Sequence, residues 1–277
     1  MSDNARQTVS VVLITFNEER NIDRCLDSVR WADEIVVVDS FSRDATIDRA
    51  RRYTDRIYQH EYPGSTNQME RGIGYATGEW ILFVDGDEEV SPELSEEIGS
   101  VLRQGSDCVG FEILRRPWAF GKWIEHGGWF PDYQFRFFRR DSYAVNHEEV
   151  HGGFSGTGKT ERLKGCVYHY TYETVYAYLA RMNDYTSLQV SNKLKANPNA
   201  TTHWYNLFLS PLSHFLRMFF SKRGYRDGFH GLVLSLLDAT YSMALYAKVW
   251  EYQMKKRTGG ALPPITNREL NTLKNPR

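Results

Sequence analysis

Apolar residues in the first third of the chain come in blocks separated by polar clusters. Val9-Ser10-Val11-Val12-Leu13-Ile14-Thr15 is a β-branched run with the length and bulk of a strand buried on both faces. Ile22, Cys25, Leu26 and Val29 then recur at helical spacing and predict a helix over 21–31. Glu34-Ile35-Val36-Val37-Val38-Asp39 predicts a second strand, and Asp44 is placed to cap a helix over 45–53 by accepting from its first-turn amides. Ile57 and Tyr58 predict a short third strand, 69–76 a helix, and Trp80-Ile81-Leu82-Phe83-Val84-Asp85 a fourth buried strand. Ser91 as cap, with Pro92 at the first helical position, predicts a further helix to about Arg103. This rhythm predicts an α/β protein with a mostly parallel sheet flanked by helices.

Beyond Arg103 the pattern changes. Residues 108–114 and 134–140 read as strands, separated by a Gly- and aromatic-rich stretch over 120–130. A loop of that length in a compact domain is usually functional. The chain beyond Tyr170 reads as helical, with apolar blocks over 204–220 and 229–250, so we divide it into a domain over 1–195 and a helical region over 196–277. The first block, rich in Phe and Leu and followed by Lys222, Arg223 and Arg226, has the composition of an interfacial helix attracted to anionic lipid. Burial against the protein's own core or against a second subunit is the other reading. His230, Asp238 and Lys248 make the second block too polar for a span of about 20 residues. The expectation is peripheral contact with a membrane.

Composition narrows the classes. With 277 residues and 41% hydrophobic content, the chain can build one large core or two modest ones. Thirty-four Lys and Arg against 35 Asp and Glu leave no basic excess, so nucleic acid is not an expected partner. Cys25, Cys108 and Cys166 are odd in number and lack metal-ligand spacing, which predicts reduced thiols filling a core in a cytosolic compartment. The stretch Met1 to Gln7 is polar, without the apolar segment of a signal peptide, so the chain is expected to stay on the cytoplasmic side where it is made.

The candidate chemistry lies at the strand ends. In parallel sheets ligands bind beyond the carboxyl ends of the strands. Thr15-Phe16-Asn17-Glu18, Asp39-Ser40 and Asp85-Gly86-Asp87 all fall there, far apart in sequence. Two carboxylates flanking a residue small enough for close approach can bind a hard divalent cation, which neutralises phosphate. An Asp-x-Asp string alone is a common surface turn; its place behind a buried strand separates it from that background.

Residues 11–19, 36–40 and 78–88 resemble, in register, three hallmark segments of the family 2 glycosyltransferases. The resemblance implies a GT-A (nucleotide-diphospho-sugar transferase) fold, an inverting transfer, and a divalent metal, Mg2+ or Mn2+. It implies that Thr15, Asn17, Glu18 and Asp39 contact the nucleotide, that Asp85 serves donor and metal, and that Asp87 is the principal metal ligand. Strand-end capping without ligand contact is the alternative for Thr15 and Asn17. Within the family, residues 127–139, Asn146-His147-Glu148 and His169-Tyr170-Thr171-Tyr172 are similar to lipopolysaccharide-core and related cell-envelope glucosyltransferases. This implies a UDP-hexose donor, with glucose as the hexose, and a lipid-anchored or lipopolysaccharide-type saccharide acceptor. Many relatives carry Lys-Asn where Met69-Glu70 stands here, a departure that bears on the donor's fit.

An inverting transfer needs a base for the acceptor hydroxyl. Asp132 is the first candidate and Glu148 the second; Gln134 and Arg136 stand near Asp132 in sequence, where their donors can orient it or meet phosphate. The bland role for Asp132 is capping the strand entry. His147 is either a third metal ligand or an ordinary hydrogen-bonding residue. One string points elsewhere: Gly153-Phe154-Ser155-Gly156-Thr157-Gly158-Lys159-Thr160 fits the P-loop pattern of kinases and ATPases. A P-loop must follow a buried strand and open a helix. Here polar residues precede it and only four residues separate it from Gly165, so a hairpin tip is expected. Three readings therefore stand: a glycosyltransferase, a P-loop triphosphate enzyme, and a non-catalytic membrane-bound nucleotide-sugar module. The intact Asp39 and Asp85-Gly86-Asp87 oppose the last. Whether the chain forms a homo-oligomer stays open.

Overall fold

The computed structural model describes residues 6–62, 64–146, 153–197 and 199–259. They form two compact units. The first comprises the described residues up to Pro117 together with Pro131–Thr171, and the second Trp118–Phe130 with the described residues from Tyr172 onward. The division drawn from sequence at 195/196 falls in the last turn of a helix of the second unit.

In the first unit, strands β1 (Val9–Thr15), β2 (Glu34–Asp39), β3 (Ile57–Gln59) and β4 (Trp80–Asp85) are parallel, in the order β3-β2-β1-β4. The helices α1 (Ile22–Asp27), α2 (Thr46–Ala50) and α3 (Ser65–Tyr75) link them. Both faces are covered. Val11, Leu13, Val37 and Leu82 point into one apolar cluster and Val12, Val36, Val38 and Phe83 into another, which is why these strands read as unbroken apolar runs. Asp44 accepts from the Thr46 amide (3.0 Å) and so holds the start of α2 as expected. The helix α1 is shorter than its periodicity suggests: the Ser28 hydroxyl donates to the Cys25 carbonyl at 2.7 Å, and the chain leaves through tight turns.

Beyond β4 the sheet turns antiparallel, so it is mixed. After β5 (Glu88–Val90) and α4 (Pro92–Gln104) come β6 (Gly110–Ala119), β7 (Lys122–Trp123), β8 (Asp132–Arg139), β9 (Tyr143–Asn146), β10 (Gly153–Gly156) and β11 (Thr160–Tyr172). The full order is β3-β2-β1-β4-β8-β6-β11-β5. Ser91 caps α4, accepting from the Leu94 amide at 3.2 Å, with Pro92 in the first turn. Trp80 is fully buried and stacks on Phe137 at 4.6 Å, joining β4 to β8. Cys25 and Cys108 are buried free thiols, and Cys166, also free, is half-buried.

The P-loop string lies on β10, a turn and the first residue of β11, with no helix after it. Nor is it a hairpin tip. β10 pairs with β9 in a separate two-stranded sheet, while β11 belongs to the main one, so the turn passes the chain between sheets. Lys159 is exposed and held by Asp107 (3.0 Å) and Glu161 (2.9 Å), whose hydrogen bonds raise its pKa. A strand-turn-strand offers no helix N-terminus to cradle phosphate, and the triphosphate reading is set aside.

The second unit contains β7 and three helices, α5 (Val175–Ala196), α6 (Asn206–Leu216) and α7 (Phe229–Thr258). α6 runs on into one π-helical turn, Arg217–Ser221. α6 and α5 both pack on α7. The polar residues that interrupt α7 are partnered within the bundle: Asp238 with His214 Nδ1 at 3.0 Å, and Lys248 with the Asn183 side chain, Thr186 and Ser187, each at 2.8 Å. α7 is long and apolar enough by composition to cross a membrane, yet these partners are those of a bundle helix.

Candidate active site

The register of the parallel strands brings the three polar clusters to one edge. Thr15 stands opposite Asp39 on β2, and Ile14 opposite Asp85 on β4. Each carboxylate thus ends a buried strand beside the next. The Gly86 amide donates to the Ile14 carbonyl at 3.2 Å, and a Cβ on Gly86 would come within 3.0 Å of Thr15 Oγ1 and 3.2 Å of Glu18 Cγ. A side chain there would crowd Thr15 and Glu18, because the loop crosses the end of β1.

The side chains at this edge differ in what they offer. Asp39 is fully buried and accepts from the Ser42 amide (2.8 Å), the Ser42 hydroxyl and Gln59 Nε2 (2.9 Å). Asn17 has a left-handed backbone (φ 54°), which Asn tolerates, and is fixed at both ends. Its amide donates to Ser42 Oγ (2.8 Å), and its Oδ1 accepts from the Arg43 amide (2.8 Å). Glu18 accepts from Asn21 Nδ2 at 2.8 Å. These contacts give Asn17 and Asp39 loop-fixing roles whether or not they also meet a ligand. Thr15 is different: its buried Oγ1 has no hydrogen-bond partner among the described residues. A buried unpaired hydroxyl is costly unless something else completes it.

Asp85 and Asp87 diverge. Asp85 Oδ2 accepts from Arg136 Nη2 at 3.0 Å, whereas Asp87 Oδ2 lies 3.4 Å from His169 Nε2. The antiparallel pairing of β5 with β11 sets His169 opposite Glu88, and the Tyr170 amide donates to the Asp87 carbonyl at 3.0 Å. Both Asp87 and His169 side chains are about one-eighth exposed.

Arg136 is the hub. Side chains at alternate positions of β8 share a face, so Asp132, Gln134 and Arg136 project together. Arg136 donates to Glu88 (2.8 Å), Asp85 (3.0 Å) and Gln134 (2.7 Å). Burial disfavours its charge, but the carboxylates of Glu88 and Asp85 more than offset that and raise its pKa. Burial pushes the Glu88 carboxyl up, against the pull of Arg136. Burial, then the charges of Glu88, Asp87, Asp85 and Glu18, push the Cys25 thiol well up.

Asp132 is reached by Arg115 through Nε (2.8 Å) and Nη2 (2.7 Å) and by Gln134 Nε2 (3.2 Å), all on Oδ2. Arg115 Nη1 also lies 3.9 Å from Glu88 Oε1. Arg136, expected beside Asp132, instead serves Asp85 and Glu88. The other base candidate, Glu148, and His147 lie outside the described residues. Sequence reasoning missed His169, Arg115 and the central place of Glu88. His169 was visible only within a family-like segment, because its pairing with Asp87 depends on an antiparallel register across some eighty residues.

Among the described residues no three His, Cys, Asp or Glu side chains are already placed to share an ion. The carboxylates of this loop still suit a hard cation. Mg2+ commonly takes one or two carboxylates and fills its shell with water and substrate phosphate. Asp87 and His169 supply an oxygen and a nitrogen side by side, and Asp85 lies on the same loop.

A strand-end acidic loop over a parallel sheet is what the GT-A fold uses, and the chain belongs to the glycosyl transferase family 2, whose model matches residues 10–158. It is a glycosyltransferase with that fold and a helical C-terminal region. Over most of its length it is similar to the lipopolysaccharide core biosynthesis glycosyltransferase LpsC of Rhizobium meliloti (strain 1021). That match is 24% identical over 255 residues, covering 88% of this chain and 92% of that protein. An uncharacterized glycosyltransferase of Rickettsia bellii (strain RML369-C) is 26% identical over 268 residues, 92% of this chain and 90% of that one. Among solved structures, glucosyl-3-phosphoglycerate synthase from Mycobacterium tuberculosis, in complex with Mg2+ and uridine-diphosphate, matches with 27% identity and a TM-score of 0.33. The match covers 41% of this chain and 44% of that one, so the chain spans less than half of it.

Proposed function

We propose that the enzyme transfers a hexose, glucose from a UDP-linked donor, with inversion, to a lipid-anchored envelope saccharide at the cytoplasmic face of the inner membrane. The observation that carries this reading is the convergence of Thr15, Asp39 and Asp85-Gly86-Asp87 at one sheet edge, where a nucleotide can lie across the strand ends. Similarity to LpsC over 88% of the chain supports the acceptor class.

In this reading Thr15 Oγ1 completes its hydrogen bonding on the nucleotide. Asp87 and His169 hold a divalent cation, with Asp85 beside them. That cation, when bound, neutralises charge on the departing diphosphate. Arg136 keeps Asp85 and Glu88 in place, so the loop does not reorganise as charge develops. Arg115 and Gln134 grip Asp132 by Oδ2 and orient the carboxylate, leaving Oδ1 to take the acceptor proton.

The test is release of UDP from UDP-glucose by the full chain, with an envelope lipid extract as acceptor. Turnover should need Mg2+ or Mn2+ and fall on the order of a hundredfold or more in Asp87→Ala. Asp132→Asn should lower kcat by about two orders of magnitude or more while donor binding, read by thermal shift, persists. Full turnover in chelator would sink the metal role, and an active Asp132→Asn would move the base elsewhere.

A further inference from the structure

The surface of the second unit carries a feature that sugar transfer does not use. α6 has no buried residue. Phe208, Leu212 and Leu216 follow one another at four-residue spacing and form a stripe, with Leu209 beside it, and all four are exposed. Trp204 precedes the helix with three-quarters of its surface exposed, and Phe220 extends the stripe into the π-helical turn. A helix of a soluble protein ordinarily turns such a stripe inward. Here the helix packs on α7 and leaves its bulkiest residues outside.

The charges around it are one-sided. Residues 185–237 contain six Lys and Arg and a single acid, Asp227, in a chain whose totals are 34 and 35. Asp227 is buried, accepting from the amides of Glu125 and His126 at 3.2 and 2.8 Å, so it does not offset the surface charge. Arg217, Lys222, Arg223 and Arg226 directly follow the apolar stripe and are exposed.

We infer that α6 and the π-helical turn after it form a docking face for an anionic lipid surface: the apolar stripe enters the headgroup region and the basic cluster meets the phosphates. Apolar bulk pointing outward with a basic border is the physical signature of an interfacial helix; Asp238 on α7, one-third exposed, is held by His214 of α6. A second protein copy would bring the same positive charge against itself, which disfavours that occupant. The inference stands on the surface alone and holds or fails independently of the transfer reaction.

The full chain is floated with vesicles of phosphatidylcholine alone and of phosphatidylcholine mixed with phosphatidylglycerol. We expect flotation with the anionic vesicles, weakening as salt rises, and release by alkaline carbonate. Leu212→Asp should abolish it. Arg217→Glu and Arg226→Glu should each weaken it roughly fivefold or more, without moving the melting temperature. These basic variants test the idea even where Leu212→Asp does not fold. Failure to float with anionic vesicles overturns the inference, as does carbonate-resistant insertion or a dimer that Leu212→Asp dissociates.

Discussion

The two units bury their apolar residues in opposite ways. The largest fully buried side chains, from Trp80, Phe83, Phe137 and Phe138 to Leu102, all belong to the first. Of the large apolar side chains exposed among the described residues, only Phe41 and Tyr133 belong to it, and the other seventeen lie in the second. One unit spends its hydrophobic sequence on holding a sheet whose polar ends gather the candidate site residues. The other keeps much of it available at the surface.

The sharpest way to break the contrast is to make one change in both units. Leu82→Ala, inside the sheet, should cost about 2–5 kcal/mol by chemical denaturation. Leu212→Ala, on the exposed face of α6, should stay within roughly 0.5 kcal/mol. Equal losses would mean that α6 is packed in solution and the contrast is false. A smaller effect sharpens the picture of the first unit: Ser91→Ala removes the cap of α4 and should cost about 1 kcal/mol, whereas α6 has no side-chain cap to lose. The smallest concerns Asp23. Burial pushes its carboxyl up, but hydrogen bonds and charge from Arg49 and Arg52 outweigh this and hold its pKa low. The folded value lies below the unfolded one, so the stability it lends is present above about pH 4 and is lost as pH falls through the folded value. Arg52→Ala should raise the Asp23 pKa in an NMR titration while changing stability by less than about 1 kcal/mol. An unmoved titration would show that the ion pair does not form.

Sequence made the first unit's parallel half plain because a strand buried on both faces is an unbroken apolar run, and β1, β2 and β4 are such runs. The capping at Ser91-Pro92 was equally visible, being local chemistry. The antiparallel half was harder. β11 runs as one strand from Thr160, although Glu161, Arg162 and Lys164 face solvent and hide its pattern. In the site, strand-end residues could be named from position alone. Partners could not: Arg136 lies on β8 and Asp85 on β4, and nothing local says that they meet. For α6 the sequence offered both an outward and a buried reading, since an apolar stripe looks the same in either, and its exposure is what the structure adds.

Asp132, Arg115, Glu88, Arg136 and Asp85 form a single row of alternating charge, running from the suggested base to the loop that would carry the donor. Anyone redesigning this enzyme inherits that wiring. A substitution at Asp85 meant to change donor preference frees Arg136, which then leans on Glu88 and through it on Arg115. Variants at the two ends should therefore combine non-additively. Substitutions at Asp85 and Asp132 are thus to be searched in pairs.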